Sequence, residues 1–387
     1  MLVTTTNSFE HWLQTHDELV DWEIQESNNL SLVTKSSLRV MTGLGFSKRL
    51  ITDCLGDLSA TAKYGWARLT NLRILNWHWP NGDKICFPVN SSGCIYLGND
   101  SPIWCQYWPF MLPKVTTSSE YICCLPEYNF ASPQCSSPLF FIGGQSHYGH
   151  FVMNRYLELN DVVYRTNLPQ CSELIIPPDY NEVQKSLIKT LKTFNKGIRF
   201  CEMPGSAGIY RVDDCIVYSV PLTPDGLHRI KGNIVRSLNS TMRIKAYKKV
   251  YLTRAQNCHN DRISNFQELL NLLHSYGFEI VNPTKLSFQD RIDALSDASF
   301  VLSDSGTCWT SAYLFTNENA TVRAFFPRRL VSEVGELERS QITANMSLGL
   351  MGDFIVCNTG KMSSTNPWYD VSIAPIYQLR ELLDIYS

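Results

Sequence analysis

The most regular pattern of apolar and polar positions lies in the last third of the chain. Lys249-Val250-Tyr251-Leu252-Thr253 is an apolar run of strand length. Ser264-Asn265-Phe266-Gln267-Glu268 then supplies residue types that open a helix, and Phe266, Leu269, Leu270 and Leu273 recur at helical spacing. Gly277 stops that helix, and Phe278-Glu279-Ile280-Val281 predicts the next strand. A second helix carries Phe288, Ile292 and Leu295. Phe300-Val301-Leu302-Ser303 predicts a third strand, which turns through Asp304-Ser305-Gly306-Thr307 into a helix containing Trp309, Tyr313 and Phe315. Residues 321–326 and Phe354-Ile355-Val356 predict two more strands, and a helix over 374–386 closes the chain. Strands alternating with helices predict a doubly wound, mainly parallel α/β sheet. Ligands of such sheets sit outside the carboxyl ends of the strands, here Arg254, Asn282-Pro283 and residues 304–307.

The middle of the chain has a similar rhythm. Leu139-Phe140-Phe141-Ile142 reads as a buried strand ending at Gly143-Gly144, with a helix over 148–164 after it. A strand over 173–176 leads through Pro177-Pro178 to a helix over 182–194, and 215–220 is another strand. From 84 to 141 the chain alternates β-branched and aromatic residues with Asn, Gly, Ser and Pro, which predicts short strands and loops. Apolar residues in the first 75 positions are unevenly spaced and predict no elements. Two α/β domains are expected, 1–235 with an irregular N-terminal segment and 236–387, with the boundary near a helix over 225–245.

Composition narrows the class. Of 387 residues, 44% are hydrophobic and 18% charged, which is globular rather than disordered. The formal net charge of -2 and the absence of basic blocks argue against a nucleic-acid partner. The first residues lack a basic segment leading into an apolar core, so no signal peptide is expected. No run reaches the roughly 18 apolar residues that a transmembrane helix needs. The 13 cysteines show no paired metal-ligand spacing, so they read as reduced, small core residues and no metal site is expected.

Three segments could carry chemistry. Arg254 follows a buried strand, and Arg262 and Asn265 stand where the next helix begins. A guanidinium fork suits paired phosphate oxygens, and helix N-termini favour anions. The competing reading is a surface arginine in an ion pair. Ser305, Gly306 and Thr307 form a small-residue turn between strand and helix, where a ligand can approach backbone N–H groups closely. The competing reading is a tight turn that caps the helix. His147 and His150 bracket a helix start, where the neutral imidazole is favoured and can accept a proton. Structural histidines are the competing reading.

Taken in order, these pieces resemble glycosyltransferase family 61. Tyr148-Gly149-His150-Phe151 followed by Tyr156-Leu157-Glu158-Leu159 is similar to that family's Asn-Tyr-Tyr-His-Trp type segment leading into a helix. Lys249 to Arg254, Arg262-Ile263-Ser264-Asn265 and Glu268-Leu269 resemble its strand, Arg, Arg-x-x-Asn and Glu-Leu series. Gly277-Phe278-Glu279-Ile280-Val281-x-Pro283 and Leu286-Ser287-Phe288-Gln289-Asp290 resemble its next unit, and 303–315 occupies the place of its Gly-x-His-Gly-Ala turn. The chain departs from the pattern at Ser305, where the family has His, at Thr307, where it has a small residue, and at Asn154, where it has an acid. The strand over 321–326 ends in Ala324-Phe325-Phe326, where many members carry an acidic residue.

The resemblance implies a GT-B-like fold, two Rossmann-like halves facing a cleft. It implies inverting transfer of a sugar from a nucleotide sugar to a carbohydrate or glycolipid acceptor. Residues 1–235 would then form the acceptor side and 236–387 the nucleotide-sugar-binding side. Arg254 and Arg262 would neutralise the diphosphate, with Asn265, Ser305, Gly306 and Thr307 completing the donor site. His150 is the expected base, with His147 second. No Asp-x-Asp motif is present, so the donor is the only co-substrate expected and no metal cofactor is needed. The expected location is the cytoplasm, with peripheral membrane contact left open. One rival keeps the fold and binds a sugar or nucleotide without catalysis. Another uses Ser305 as a hydrolytic nucleophile, although Asp304-Ser305-Gly306 lacks the Gly-x-Ser-x-Gly elbow.

Overall fold

The computed structural model describes residues 2–6, 8–15, 19–28, 61–78, 84–98, 111–113, 121–130, 139–141, 144–145, 147–165, 172–178, 180–193, 196–219, 229–234, 248–255, 263–304, 306–317, 319–327, 354–362 and 370–386. Described residues up to Asn233 make one compact unit and those from Ile234 onward another. Of the helix expected over 225–245, only 229–234 are described, and they are helical.

The first unit opens with β1 (Leu2–Thr6), α1 (Phe9–Gln14), β2 (Leu19–Asn28), β3 (Thr61–His78), β4 (Lys84–Val89) and β5 (Cys94–Tyr96). Short strands β6 (Met111–Pro113), β7 (Tyr121–Cys123), β8 (Glu127–Asn129), β9 (Leu139–Phe141) and β10 (Gly144–Gln145) follow. Next comes one continuous helix, α2, α-helical over Tyr148–His150, π-helical over Phe151–Tyr156 and α-helical again over Leu157–Arg165. The unit continues with β11 (Glu173–Ile176), α3 (Glu182–Thr190), β12 (Arg199–Glu202) and β13 (Gly208–Ser219).

These strands form one mixed sheet in the order β12-β11-β9-β13-β3-β4-β5-β1-β7-β6. Its first four strands are mutually parallel, and α2 and α3 link β9 to β11 and β11 to β12. That block is a βαβαβ layer, as the apolar runs from Leu139 onward predict. The described residues among the first 75, whose spacing predicts no elements, form strands and a helix too. Phe9, Trp12 and Leu13 of α1 are buried, Ser8 caps the helix by accepting from the His11 N–H at 3.2 Å, and the Trp12 indole donates to the Cys94 carbonyl at 2.9 Å. A six-residue helix is too short to show a period. Strand β3 hides its alternation for another reason: Leu72 and Ile74 belong to one core and Leu75 to a second. Both faces of the strand are covered, so apolar residues fall on both parities.

The second unit contains β14 (Lys249–Leu252), α4 (Phe266–Ser275), β15 (Phe278–Val281), α5 (Phe288–Leu295), β16 (Phe300–Asp304), α6 (Thr307–Phe315), β17 (Thr321–Pro327), β18 (Phe354–Met362), β19 (Asp370–Ile373) and α7 (Ile376–Ile385). The strand order is β15-β14-β16-β17-β18-β19. The first five are parallel, as expected, and β19 adds an antiparallel edge that the sequence pattern does not predict. Right-handed crossovers put α4 on one face and α5 and α6 on the other. Leu269, Leu270, Leu272 and Leu273 of α4 share a core with Tyr251, Leu302, Phe325 and with Leu379 and Leu383 of α7. Each such side chain contributes roughly 1.5–3 kcal/mol through burial. On the other face the Phe288 ring meets Phe315 edge-on at 5.6 Å, and the Arg291 guanidinium donates to the Ser311 hydroxyl at 3.0 Å.

Gly277 has φ +77, a conformation that ends α4 and that other residues rarely adopt. Both α3 and α5 begin with complete capping boxes, from Asn181 with Gln184 and from Ser287 with Asp290. Cys86, Cys94 and Cys215 are core thiols, and burial pushes each of them up from the usual cysteine range. They therefore pack as small apolar groups.

Candidate functional site

In the second unit the sheet has a topological switch point. Strand β14 comes first in the chain, and its partners β15 and β16 lie on opposite sides of it. The order is that of a 2-1-3-4-5 doubly wound sheet, which opens its ligand crevice outside the carboxyl ends of the first and third strands. Thr253 and Arg254 leave β14 there, and Gly306 and Thr307 leave β16.

A buried carboxylate joins the two strand ends. Asp304 Oδ1 accepts from the Tyr251 hydroxyl at 2.5 Å, and Oδ2 accepts from the Thr253 hydroxyl at 2.7 Å. Thr253 Oγ1 also accepts from the Ala255 N–H at 3.0 Å. The threonine hydroxyl thus donates to one strand and accepts from its own turn. Burial first, and then the Asp304 charge, raise the Tyr251 phenol well above its ordinary range, so it stays a donor. Arg254 sits in the middle of this pinned turn. It is partly buried and, among the described residues, has no hydrogen-bond or ion-pair partner. A guanidinium held there without a partner among the described residues is poised for an anion.

Gly306 precedes α6 with φ 80 and ψ -134, a conformation suited to glycine. Its carbonyl accepts from both the N–H and the hydroxyl of Thr310, at 3.1 and 3.2 Å. Gly306 and Thr307 lie at the start of the helix, and among the described residues no side chain caps it. The first N–H groups of a helix and its dipole form an electropositive end.

Asn265 is placed differently from its expected role. Its Nδ2 donates to the Ala374 carbonyl at 3.0 Å, and its Oδ1 accepts from the Ala374 N–H at 2.8 Å. The amide clips the start of α4 to the segment between β19 and α7. Ser264 supports the same clip through its N–H to the Ser372 carbonyl at 2.9 Å. Arg262 and Ser305 lie outside the described residues.

The first unit has its own switch point, between β9 and β13. His147 and His150 follow β9 in the chain, after the short β10, which pairs with β4. His147 occupies the N-cap position of α2, its carbonyl accepts from the Phe151 N–H at 2.8 Å, and its side chain is half-buried. His150 ends the first α-helical turn, and its side chain lies outside the described residues. The π-helical turn after it carries Phe151, Val152, Arg155 and Tyr156, all buried. Such turns recur at functional sites.

Arg155 is a residue that the sequence reading misses. Its Nη1 donates to Glu158 at 2.8 Å, its Nη2 donates to the Leu97 carbonyl at 2.7 Å, and its guanidinium lies 5.5 Å from the Phe87 ring centre. An Arg–Glu pair three residues apart in a helix is the signal that could have found it. Two glycines with positive φ make room for it. A Cβ on Gly144, φ +98, would lie 2.3 Å from Arg155 Cγ, and one on Gly98, φ +60, would lie 2.6 Å from Nη1. Gly144→Ala therefore combines backbone strain of about 1–3 kcal/mol with an overpacking cost of similar size. The expected result is a melting temperature lower by several degrees in a thermal denaturation scan. An unchanged melting temperature would show that the Arg155 cradle yields freely.

Among the described residues no group of three or more His, Cys, Asp or Glu is arranged to hold a metal ion, and no helix is long and apolar enough to cross a membrane. The family model described as Glycosyltransferase 61 matches residues 148–322, somewhat under half of the chain, and on that match the class of protein is a glycosyltransferase. That match begins at the helix carrying His150 and ends inside β17, so it includes both the Arg254 turn and the Gly306 turn. No curated protein matches the sequence.

Proposed function

We propose that the enzyme is an inverting glycosyltransferase of GT-B layout that moves a sugar from a nucleotide-sugar donor to a hydroxyl of a glycan or glycoconjugate without a metal. The observation that carries the donor half is the meeting, at one switch point, of Arg254, which has no hydrogen-bond or ion-pair partner among the described residues, the glycine turn at 306 and the start of α6, which no described side chain caps. Those are three complementary devices for a diphosphate: a fork of donors, close backbone approach and an electropositive helix end.

In the reaction an acceptor oxygen attacks the anomeric carbon opposite the leaving nucleoside diphosphate. The acceptor proton goes to His150, with His147 as the second candidate, and the bond electrons leave with the diphosphate. Arg254 and Arg262 pair with the charge that develops on it, and the N–H groups near Gly306 and Thr307 add to that stabilisation. Inversion follows from the single displacement.

The test is nucleotide release from UDP-, GDP-, CMP- and dTDP-sugars with and without acceptor glycans. One donor should be consumed. Arginines here take the part that a divalent cation plays beside an Asp-x-Asp motif, so EDTA should leave the rate unchanged. Loss of activity in EDTA that added Mn²⁺ or Mg²⁺ restores would overturn the metal-free mechanism. A donor that binds but is never turned over would select the non-catalytic binding protein instead.

A further inference from the structure

The buried carboxylate of Asp304 has a role that the diphosphate reading does not itself assign. We infer that Asp304 is a positioning residue of the donor site, fixing through Thr253 the turn that presents Arg254. This rests on the reading of Arg254 as the diphosphate ligand.

The connection is short and continuous. Asp304 is buried at the end of β16 and is within hydrogen-bond reach of two hydroxyls on the adjacent strand and turn. Tyr251 is fully buried, with its ring edge-on to Phe325 at 5.9 Å, so this partner belongs to the core and holds the carboxylate still. Thr253 is the other partner, and it passes the constraint forward. Its hydroxyl, anchored on Asp304, accepts from the Ala255 N–H at 3.0 Å. Arg254 is the single residue between Thr253 and Ala255, so the backbone on both of its sides is tied to one carboxylate.

The sheet supplies the rest of the argument. Strand β15 is the next strand in the chain after β14, yet β16 is the neighbour across the switch point. The carboxylate thus joins the two strands whose ends carry the two halves of the donor site, Arg254 on one and the Gly306 turn on the other. An arginine has many rotamers, and a loose turn would multiply the arrangements that must be frozen when a diphosphate binds. A pinned turn removes that cost before the ligand arrives.

The experiment measures affinity for inorganic pyrophosphate, UDP, GDP and dTDP by calorimetry, together with the melting temperature of each unliganded protein. Thr253→Val keeps the side-chain volume and removes the hydroxyl. It should weaken binding about tenfold, as loss of an outer supporting partner does elsewhere. Thr253→Ser should restore affinity, a rescue that a loss of core packing would not produce. Asp304→Asn should weaken binding in the same direction. In the Arg254→Ala background Thr253→Val should add nothing further, because its effect is carried by the arginine. If Arg254→Ala weakens binding but Thr253→Val and Asp304→Asn bind as the wild type does, the positioning role is wrong and the donor site stands. A Thr253→Val effect that persists in full without Arg254 overturns it as well. If Arg254→Ala itself leaves affinity unchanged, or no probe binds the wild type, the diphosphate reading fails and the positioning role falls with it.

Discussion

Arg254→Ala should remove most of the thermal stabilisation that the donor nucleotide gives the wild-type enzyme, while leaving the unliganded melting temperature almost unchanged. The second half follows from the absence of any hydrogen-bond or ion-pair partner for Arg254 among the described residues. An arginine that bonds none of the described residues has little to lose on removal beyond the packing of its stem. The first half follows from charge. A hydrogen bond to a charged group contributes about 1.5–3 kcal/mol, which corresponds to roughly 10–100-fold in affinity. A ligand that binds only the native state raises stability by RT ln(1 + L/Kd), where L is the free ligand concentration, so the shift at fixed nucleotide concentration should shrink as Kd rises. Arg254→Lys should recover only part of it, because an ammonium keeps the charge and loses the planar fork. The check is a thermal-shift titration of the three proteins with the nucleotide that the wild type prefers. An undiminished shift in Arg254→Ala would remove the arginine from the donor site and with it the main support for a diphosphate there.

How far the molecule can be read from its sequence depends on what each residue faces. The second unit is legible because its elements each bury one face. Leu269, Leu270 and Leu273 mark the inner side of α4, and Gly277 ends it with the positive φ that glycine permits. Strand β19 is not legible, because Asp370-Val371-Ser372-Ile373 is only four residues at a sheet edge, too short for its polar and apolar alternation to announce it. In the first unit the long β3 strand escapes notice because residues of both parities are buried: Leu72 and Ile74 face one core and Leu75 the other.

The candidate site divides in the same way. Arg254 and Gly306 can be found because they closely follow apolar runs, and the ends of such runs are the mouths of parallel sheets. The Asp304 carboxylate cannot be linked to Tyr251 and Thr253 from sequence, because β15 intervenes in the chain and only the folded strand order makes β14 and β16 neighbours. Asn265 shows the converse. Its place at a helix start suggests a ligand contact, yet its amide is matched by the backbone of Ala374, 109 positions away. A motif position gives the chemical type of a side chain, and only the fold says which partner satisfies it.

His150→Ala should lower kcat by about 10²–10⁴-fold, the usual contribution of a positioned base. Donor affinity should change little, because the proton transfer concerns the acceptor and the diphosphate belongs to the other half of the reaction. The ring can be deleted without unfolding the helix, since α2 is held by the buried turn C-terminal to His150. Phe151, Val152 and Tyr156 are fully buried, Tyr156 bonds the Thr190 hydroxyl, and Arg155 is locked between Glu158 and the Leu97 carbonyl. A melting temperature close to that of the wild type therefore accompanies the loss of rate and separates catalysis from stability. The pH profile separates a base from a residue that merely orients the acceptor. A base must be unprotonated to act, so wild-type kcat should fall toward acid, and that limb should vanish in His150→Ala, leaving a low, flat rate. His147 is the internal comparison. It sits at the N-cap of α2 and is the second candidate for the base, so His147→Ala should cost less and keep the acid limb. If His147→Ala instead removes the limb and His150→Ala does not, the two histidines exchange roles. If neither moves it, the base lies outside this helix and the first-unit switch point serves the acceptor by shape alone.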